Sequence, residues 1–420
     1  MAGKKVICLI AVLAVVAVTG LLARPAAAVT PLYTAFLIAD QSADITSSSL
    51  AYNSTDHVYL AVWCHHQANG VGVFARTISE TGVLGSIYPV SDTSADANRC
   101  DPDVAYDPNH NNFLVVWQLQ QGANFNVHGR LFYPGTLLGN DISFSDSYSS
   151  SATPPAVSFA NTSDEFLVVW SLWSGAPSSI IGQRLTYDGV KLGGNLVIAP
   201  GHDTLSNYDP DIAYNISRNE YLLVYTRLDT NAPGGPNKDI FGWRLTHDVI
   251  KLGSELEIAF YTPQENNPSV AALPTAAPES GRYLVAYQIT YDIGDSDIWS
   301  QVVYGDGTVT PQLVIQGTNA FETLPAVAAS PSGRNFLVTW TSSPAPDHIF
   351  TNILASTVSL QNVVSPVRYL GGFFAGSSSV VAGRQGDFLS AADDITLFGN
   401  RDLYGRLLGN RIFLPVTVKH

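Results

Sequence analysis

Apolar residues in this chain fall in short dense runs separated by turn-forming residues, and one such run recurs along the length of the sequence. It reads YLAVW at Tyr59–Trp63, FLVVW at Phe113–Trp117 and Phe166–Trp170, YLLVY at Tyr221–Tyr225, YLVAY at Tyr283–Tyr287, FLVTW at Phe336–Trp340 and, in degenerate form, FLSAA at Phe388–Ala392. The copies start roughly every 55 residues, a period typical of a repeated supersecondary unit. Each run is too short for a helix. Because it is apolar without alternation, it predicts a strand buried on both faces.

Three further strand-like runs complete each period. A first strand precedes the pentapeptide, as in Pro102–Tyr106 (PDVAY), Pro155–Phe159 (PAVSF), Pro210–Tyr214 (PDIAY) and Pro325–Ala329 (PAVAA). A third follows it, as in Ile180–Leu185 (IIGQRL), Asp239–Leu245 (DIFGWRL), Asp297–Val303 (DIWSQVV) and Asp402–Leu408 (DLYGRLL). Turns such as Asp188-Gly189 and Asp306-Gly307 then predict a tight hairpin into a fourth strand like Lys191–Ile198. Short links make neighbouring strands antiparallel. Small sheets whose two faces are both apolar must be covered on both sides by their neighbours, and radial stacking achieves this. The expectation is an all-β, seven-bladed β-propeller of four-stranded antiparallel blades. A β-solenoid has shorter coils and no hairpin turns. Two segments suit the outer strand of the last blade, residues 32–39 near the N-terminus and Ile412–Val418 at the C-terminus. If the first closes the ring, the second is an edge strand, where Pro415 is tolerated.

Composition fits a folded β-rich chain: 46% of the 420 residues are hydrophobic and 13% charged, with 19 Tyr, 18 Phe and a single Met. Residues 1–28 read as a signal peptide, with Lys4 and Lys5 before an apolar stretch from Val6 to Leu22 and a small-residue cleavage site at Ala26–Ala28. The expected mature protein is residues 29–420, a single propeller domain, secreted or associated with the cell envelope, without a membrane span and monomeric. Its cysteines are then Cys64 and Cys100, either bridged or present as two buried thiols. The formal charge of −14 excludes a generic nucleic-acid or anionic-membrane binder.

Blade topology sorts the loops by face without coordinates, because links from fourth to next first strand and from second to third strand emerge on one side. Most acidic residues fall there, among them Asp101, Asp103, Asp209, Asp211 and Asp239, opposed only by Arg99, Arg227, Lys238 and Arg401. This acidic face surrounds the expected channel mouth and would attract cations and basic partners. Asp292, Asp295 and Asp297 in YDIGDSD are the candidate metal ligands. No cofactor is otherwise demanded, and Ca²⁺ is the hard cation such oxygen donors suit. The same topology sets Cys64, at the end of a second strand, beside Cys100, at the start of the next blade's first strand, which favours a disulfide between them. The pentapeptide tryptophans share one register and read as interblade core. Trp173 lies outside that register and is the candidate exposed ligand contact. Arg184 and Arg244 are expected to pair with neighbouring blades.

The motifs P-x-[VI]-A-Y, [FY]-L-V-V-W, D-I-x-G-x-R-L and L-G resemble those of secreted bacterial seven-bladed β-propeller repeat proteins, over roughly residues 32–418. That resemblance implies fold and export and carries no activity with it. The sequence holds no H-E-x-x-H, no nucleophile elbow with ordered partners, no P-loop and no complete Asp-box, so no catalytic residue is named. The preferred expectation is an exported, non-enzymatic binding or scaffold module presenting its acidic face to a protein, glycan or cation. The alternative is an extracellular polysaccharide hydrolase or lyase with its site at the channel mouth.

Overall fold

In the computed structural model the described residues are 35–39, 44–68, 70–92, 97–121, 124–145, 154–173, 177–261, 263–273, 281–292, 294–344, 351–371, 378–384, 387–395 and 401–409. The expected signal peptide and the segment Ile412–Val418 lie outside them. The described residues form one compact unit. Among the described residues no helix is long and apolar enough to cross a membrane.

The strands pair into antiparallel groups of four. Ile45–Asn53, Val58–Gln67, Gly70–Ser79 and Leu84–Pro89 make one sheet, and Ala97–Asp107, Asn112–Gln121, Asn124–Tyr133 and Thr136–Ser143 the next. Ala156–Ala160, Glu165–Leu172, Ser179–Thr186 and Lys191–Ala199 follow, then Leu205–Asn215, Glu220–Asp229, Asn237–Thr246 and Lys251–Ala259. Gln264–Ala272, Arg282–Asp292, Asp295–Tyr304 and Leu313–Gln316 join Phe321–Ala329, Asn335–Ser343, Asn352–Ser359 and Arg368–Gly371 in an eight-stranded sheet. Its two antiparallel halves touch through one parallel pairing, Ser296 with Phe321. The remaining sheet combines Ser378–Ala382, Phe388–Ile395 and Arg401–Leu408 with the N-terminal strand Phe36–Ala39, which pairs antiparallel to the last of these.

The unbroken apolar runs are explained by where their side chains go. In Val58–Gln67, Leu60 and Val62 enter a cluster shared with the following sheet, whereas Tyr59, Ala61 and Trp63 enter one shared with the last sheet. Phe113, Val115 and Trp117 face back, and Leu114 and Val116 face forward. Each run therefore supplies two cores by the two-residue alternation of a strand. Trp63, Trp117, Trp170 and Trp340 are all buried there, as their shared register requires. Each fully buried large apolar side chain contributes about 1.5–3 kcal/mol.

First strands touch in sequence, and the last, Ser378–Ala382, touches the first, Ile45–Asn53, so the arrangement closes on itself. Ser48 and Ser379 meet across that junction, with their hydroxyls 3.1 Å apart. Cys64 and Cys100 form a disulfide between two consecutive sheets, with Cα atoms 5.4 Å apart. By the loop-entropy relation this closure contributes about 3–4 kcal/mol.

The hairpins from third to fourth strand differ from the two-residue form expected. In the turn after Thr246, Val249 N–H donates to the Thr246 carbonyl and Thr246 N–H donates to that of Ile250. This is a type I turn closed by one left-handed residue, a geometry that suits the right-handed twist of the strands. Gly82, Gly135, Gly189 and Gly307 occupy the left-handed position elsewhere, and Asn362 does so once. Val249 holds it at φ 69° despite its branched Cβ, where the left-handed region costs about 1–2 kcal/mol. A Val249→Asn variant is expected to gain about 1 kcal/mol in urea unfolding. An unchanged or lower midpoint would show that the packing of Val249 outweighs its strain.

Candidate functional site

Where the first strands begin, they bend before entering the ring. The pairing register slips between Thr46 and Ser48, Tyr208 and Asp211, Asn266 and Ser269, and Thr323 and Ala326. Ser47, Asp209, Asn267 and Leu324 sit at these bulges with φ near 50°, and in the last three the next residue is proline. A bulge re-aims the side chains that follow it. In these four strands it brings Ser49, Asp211, Ser269 and Ala326 to the wall of a single cavity of about 550 Å³, which Asp103, Ala156 and Ser379 of the other three first strands also line.

Four of the acidic residues singled out from the sequence line this cavity: Asp101, Asp103, Asp209 and Asp211. Ser47 Oγ donates to Asp101 Oδ1 at 2.6 Å. Asp103 accepts from Ser49 Oγ at 2.7 Å and from Val157 N–H at 2.8 Å, so it ties its strand to the strands on either side. Asp211 accepts from Val270 N–H at 2.7 Å and from the adjacent Ile212 N–H at 2.8 Å. Val327 N–H repeats the link by donating to Ser269 Oγ at 3.2 Å. Burial pushes the Asp103 carboxyl up, against the hydrogen bonds that favour its charged form. Burial likewise raises Asp211 to about 7, and the Asp103 charge adds to the rise. One acid on this wall is therefore held protonated close to neutral pH while it senses a second carboxylate.

The other sequence candidates lie elsewhere. Trp173 is 53% exposed and does not line the cavity. Asp239 is buried at a sheet boundary facing Glu265, the second residue of the next first strand. Burial and then the Asp239 charge raise Glu265 to about 9, and burial raises Asp239 to about 6, so one proton serves both. The next boundary repeats the arrangement with Asp297 and Glu322. Glu322 accepts from Thr318 Oγ1 at 2.6 Å, and burial, reinforced by the Asp297 charge, raises it to about 7.

Asp297 spends its oxygens internally, accepting from Thr318 N–H at 3.1 Å and Trp299 Nε1–H at 3.4 Å. The side chain of Asp292 lies outside the described residues. Among those described, no three His, Cys, Asp or Glu side chains are grouped to hold a metal ion. Arg184 and Arg244 depart from expectation: each binds an acid of its own sheet, Glu165 and Glu220, at 2.7 Å. The adjacent strand places a carboxylate within reach, so no neighbouring sheet is needed.

Sequence reasoning missed the serines of the wall and the two buried carboxyl pairs. The signal for the pairs was available. Glu265 and Glu322 each stand three residues before the proline of their first strand, and Asp239 and Asp297 each open a third strand.

No protein-family model and no curated protein matches this chain. Solved structures do. A protein of unknown function from Dyadobacter fermentans is similar at 12% identity and TM-score 0.54, over 74% of this chain and 95% of its own. The GH93 α-L-arabinofuranosidase of Fusarium graminearum, solved with arabinobiose, gives 12% and 0.55 over 79% and 98%. The α-L-arabinanase of Penicillium chrysogenum, also solved with arabinobiose, gives 11% and 0.54 over 79% and 100%. This likeness shows a β-propeller fold. The two of these with a stated activity are glycoside hydrolases, and this overturns the expectation of a non-enzymatic binding or scaffold module and turns the reading to the enzymatic alternative taken up below.

Proposed function

We propose that this chain is an exported glycoside hydrolase acting on extracellular polysaccharide, with its site in the cavity at the channel mouth. In this reading the five four-stranded sheets and the two halves of the eight-stranded sheet are seven blades. The N-terminal strand latches the ring shut. The disulfide and the signal-like first 28 residues suit an oxidising, extracellular compartment.

The observation that carries the proposal is that Asp211 and Asp103, from first strands two sheets apart, line one cavity, with the Asp103 charge acting on Asp211. Glycoside cleavage needs an acid that keeps its proton at working pH and a second carboxylate that stays available. Burial supplies the first at Asp211, whose carboxyl is raised to about 7. Asp211 would protonate the glycosidic oxygen. Asp103, held in place by Ser49 and the Val157 N–H, would stabilise the positive charge that develops on the sugar or activate water. The prolines and aliphatic side chains of the wall, such as Pro102, Pro210, Ile212 and Val270, keep the site dry enough to sustain the raised acid.

The test is to incubate the mature chain with a panel of plant and microbial polysaccharides and follow the release of reducing ends. Release from at least one polymer is expected. A panel left intact at every pH between 4 and 8 would remove the hydrolase reading.

A further inference from the structure

The cavity at the channel mouth has a one-sided charge. Its lining residues include Asp101, Asp103, Asp209 and Asp211 and no lysine, arginine or histidine. The rest of the polar lining is neutral, made of serine hydroxyls and the Asn267 amide. Sugars that carry a carboxylate, such as uronic and sialic acids, need a cation or an array of donors to replace the water they lose on binding. Here they would meet neutral hydroxyl and amide donors but no cation, beside carboxylates of the same sign, in a concave site whose apolar walls concentrate the field. Uncharged sugars meet hydroxyls, an amide and carboxylate acceptors that match their own hydroxyl donors.

We infer that the cavity selects uncharged glycans and rejects acidic ones, with Asp101 and Asp209 setting the discrimination. This rests on the glycan reading of the cavity and adds a substrate class to it. Asp211 and Asp103 are wanted for chemistry, and Asp211 keeps its proton up to about pH 7. Asp101 and Asp209 enlarge the negative field without being needed for the reaction. Specificity through an introduced repulsion is a recognised device, and it need not add affinity for the preferred ligand.

The experiment is a glycan array in which each uncharged oligosaccharide is printed beside its uronate-bearing or sialylated match, probed with the fluorescently labelled mature chain at pH 7. Retention of uncharged members at least about tenfold above their acidic matches is expected at low salt, with the gap narrowing in 0.5 M NaCl because screening shortens the reach of the carboxylates. An Asp101→Asn/Asp209→Asn variant should narrow the gap at low salt as well. Acidic members retained as well as their uncharged matches would overturn the selectivity and leave the hydrolase reading standing. An array on which nothing is retained would count against both. A gap that ignores both salt and the double substitution would show that the discrimination does not come from these charges.

Discussion

An Asp211→Asn variant should lose about 10²–10⁴-fold in polysaccharide hydrolysis while remaining folded. The two effects separate because of how Asp211 is held. Its carboxyl accepts from the Val270 and Ile212 N–H groups. Asparagine is close to isosteric with the protonated acid and keeps one acceptor oxygen, so one backbone N–H loses its acceptor, at a cost of about 1–3 kcal/mol. The proton is lost entirely. The wild-type rate should also fall as pH rises through about 7, where the buried acid ionises. The residual activity of the variant should lack that limb. Full activity in the variant, or an alkaline limb that survives in it, would exclude Asp211 as the proton donor. Asp103→Asn tests the second carboxylate in the same assay, and there the loss should not be tied to the limb near pH 7.

Most of the architecture was open to sequence reasoning, because the pentapeptide strand reports its own burial. A run such as FLVVW is apolar at every position only because Phe113 and Leu114 serve different neighbours. The turn type was not legible. Asp188-Gly189 fits a two-residue hairpin as well as the type I turn with one left-handed residue, and only the hydrogen bonds of Thr186, Gly189 and Val190 decide between them. Sorting the loops by face brought Asp101, Asp103, Asp209 and Asp211 onto one side, and the bulges at Ser47, Asp209 and Asn267 gather that side into a cavity. Alternation alone would not have shown this, since a bulge changes which residue faces inward. The same sorting could not tell a solvated acid from a buried one. Asp239 counted as surface charge in the sequence, yet it lies 4% exposed against Glu265.

That difference sets the response of the whole molecule to pH. Asp239, Asp211, Glu322 and Glu265 are raised to about 6, 7, 7 and 9, chiefly by burial and in each case also by the charge of a neighbouring carboxylate. In the unfolded chain such groups ionise near pH 4. Between these limits the folded state holds protons that the unfolded state has released, so stability must fall as pH rises. The contribution is fully present below about pH 4 and is lost stepwise up to about pH 9. The loss should total a few kcal/mol, seen as a melting temperature that drops by about 5–10 °C between pH 5 and pH 9.5. A Glu265→Gln/Glu322→Gln variant removes the two glutamate ionisations. Its melting temperature should match the wild type near pH 5 and exceed it near pH 9, leaving a shallower slope set by Asp211 and Asp239. A wild-type profile that is flat across this range would contradict the buried pairs. A slope unchanged in the double variant would place its origin in groups away from these two sheet boundaries, since the glutamates that dominate the expected loss there would be gone.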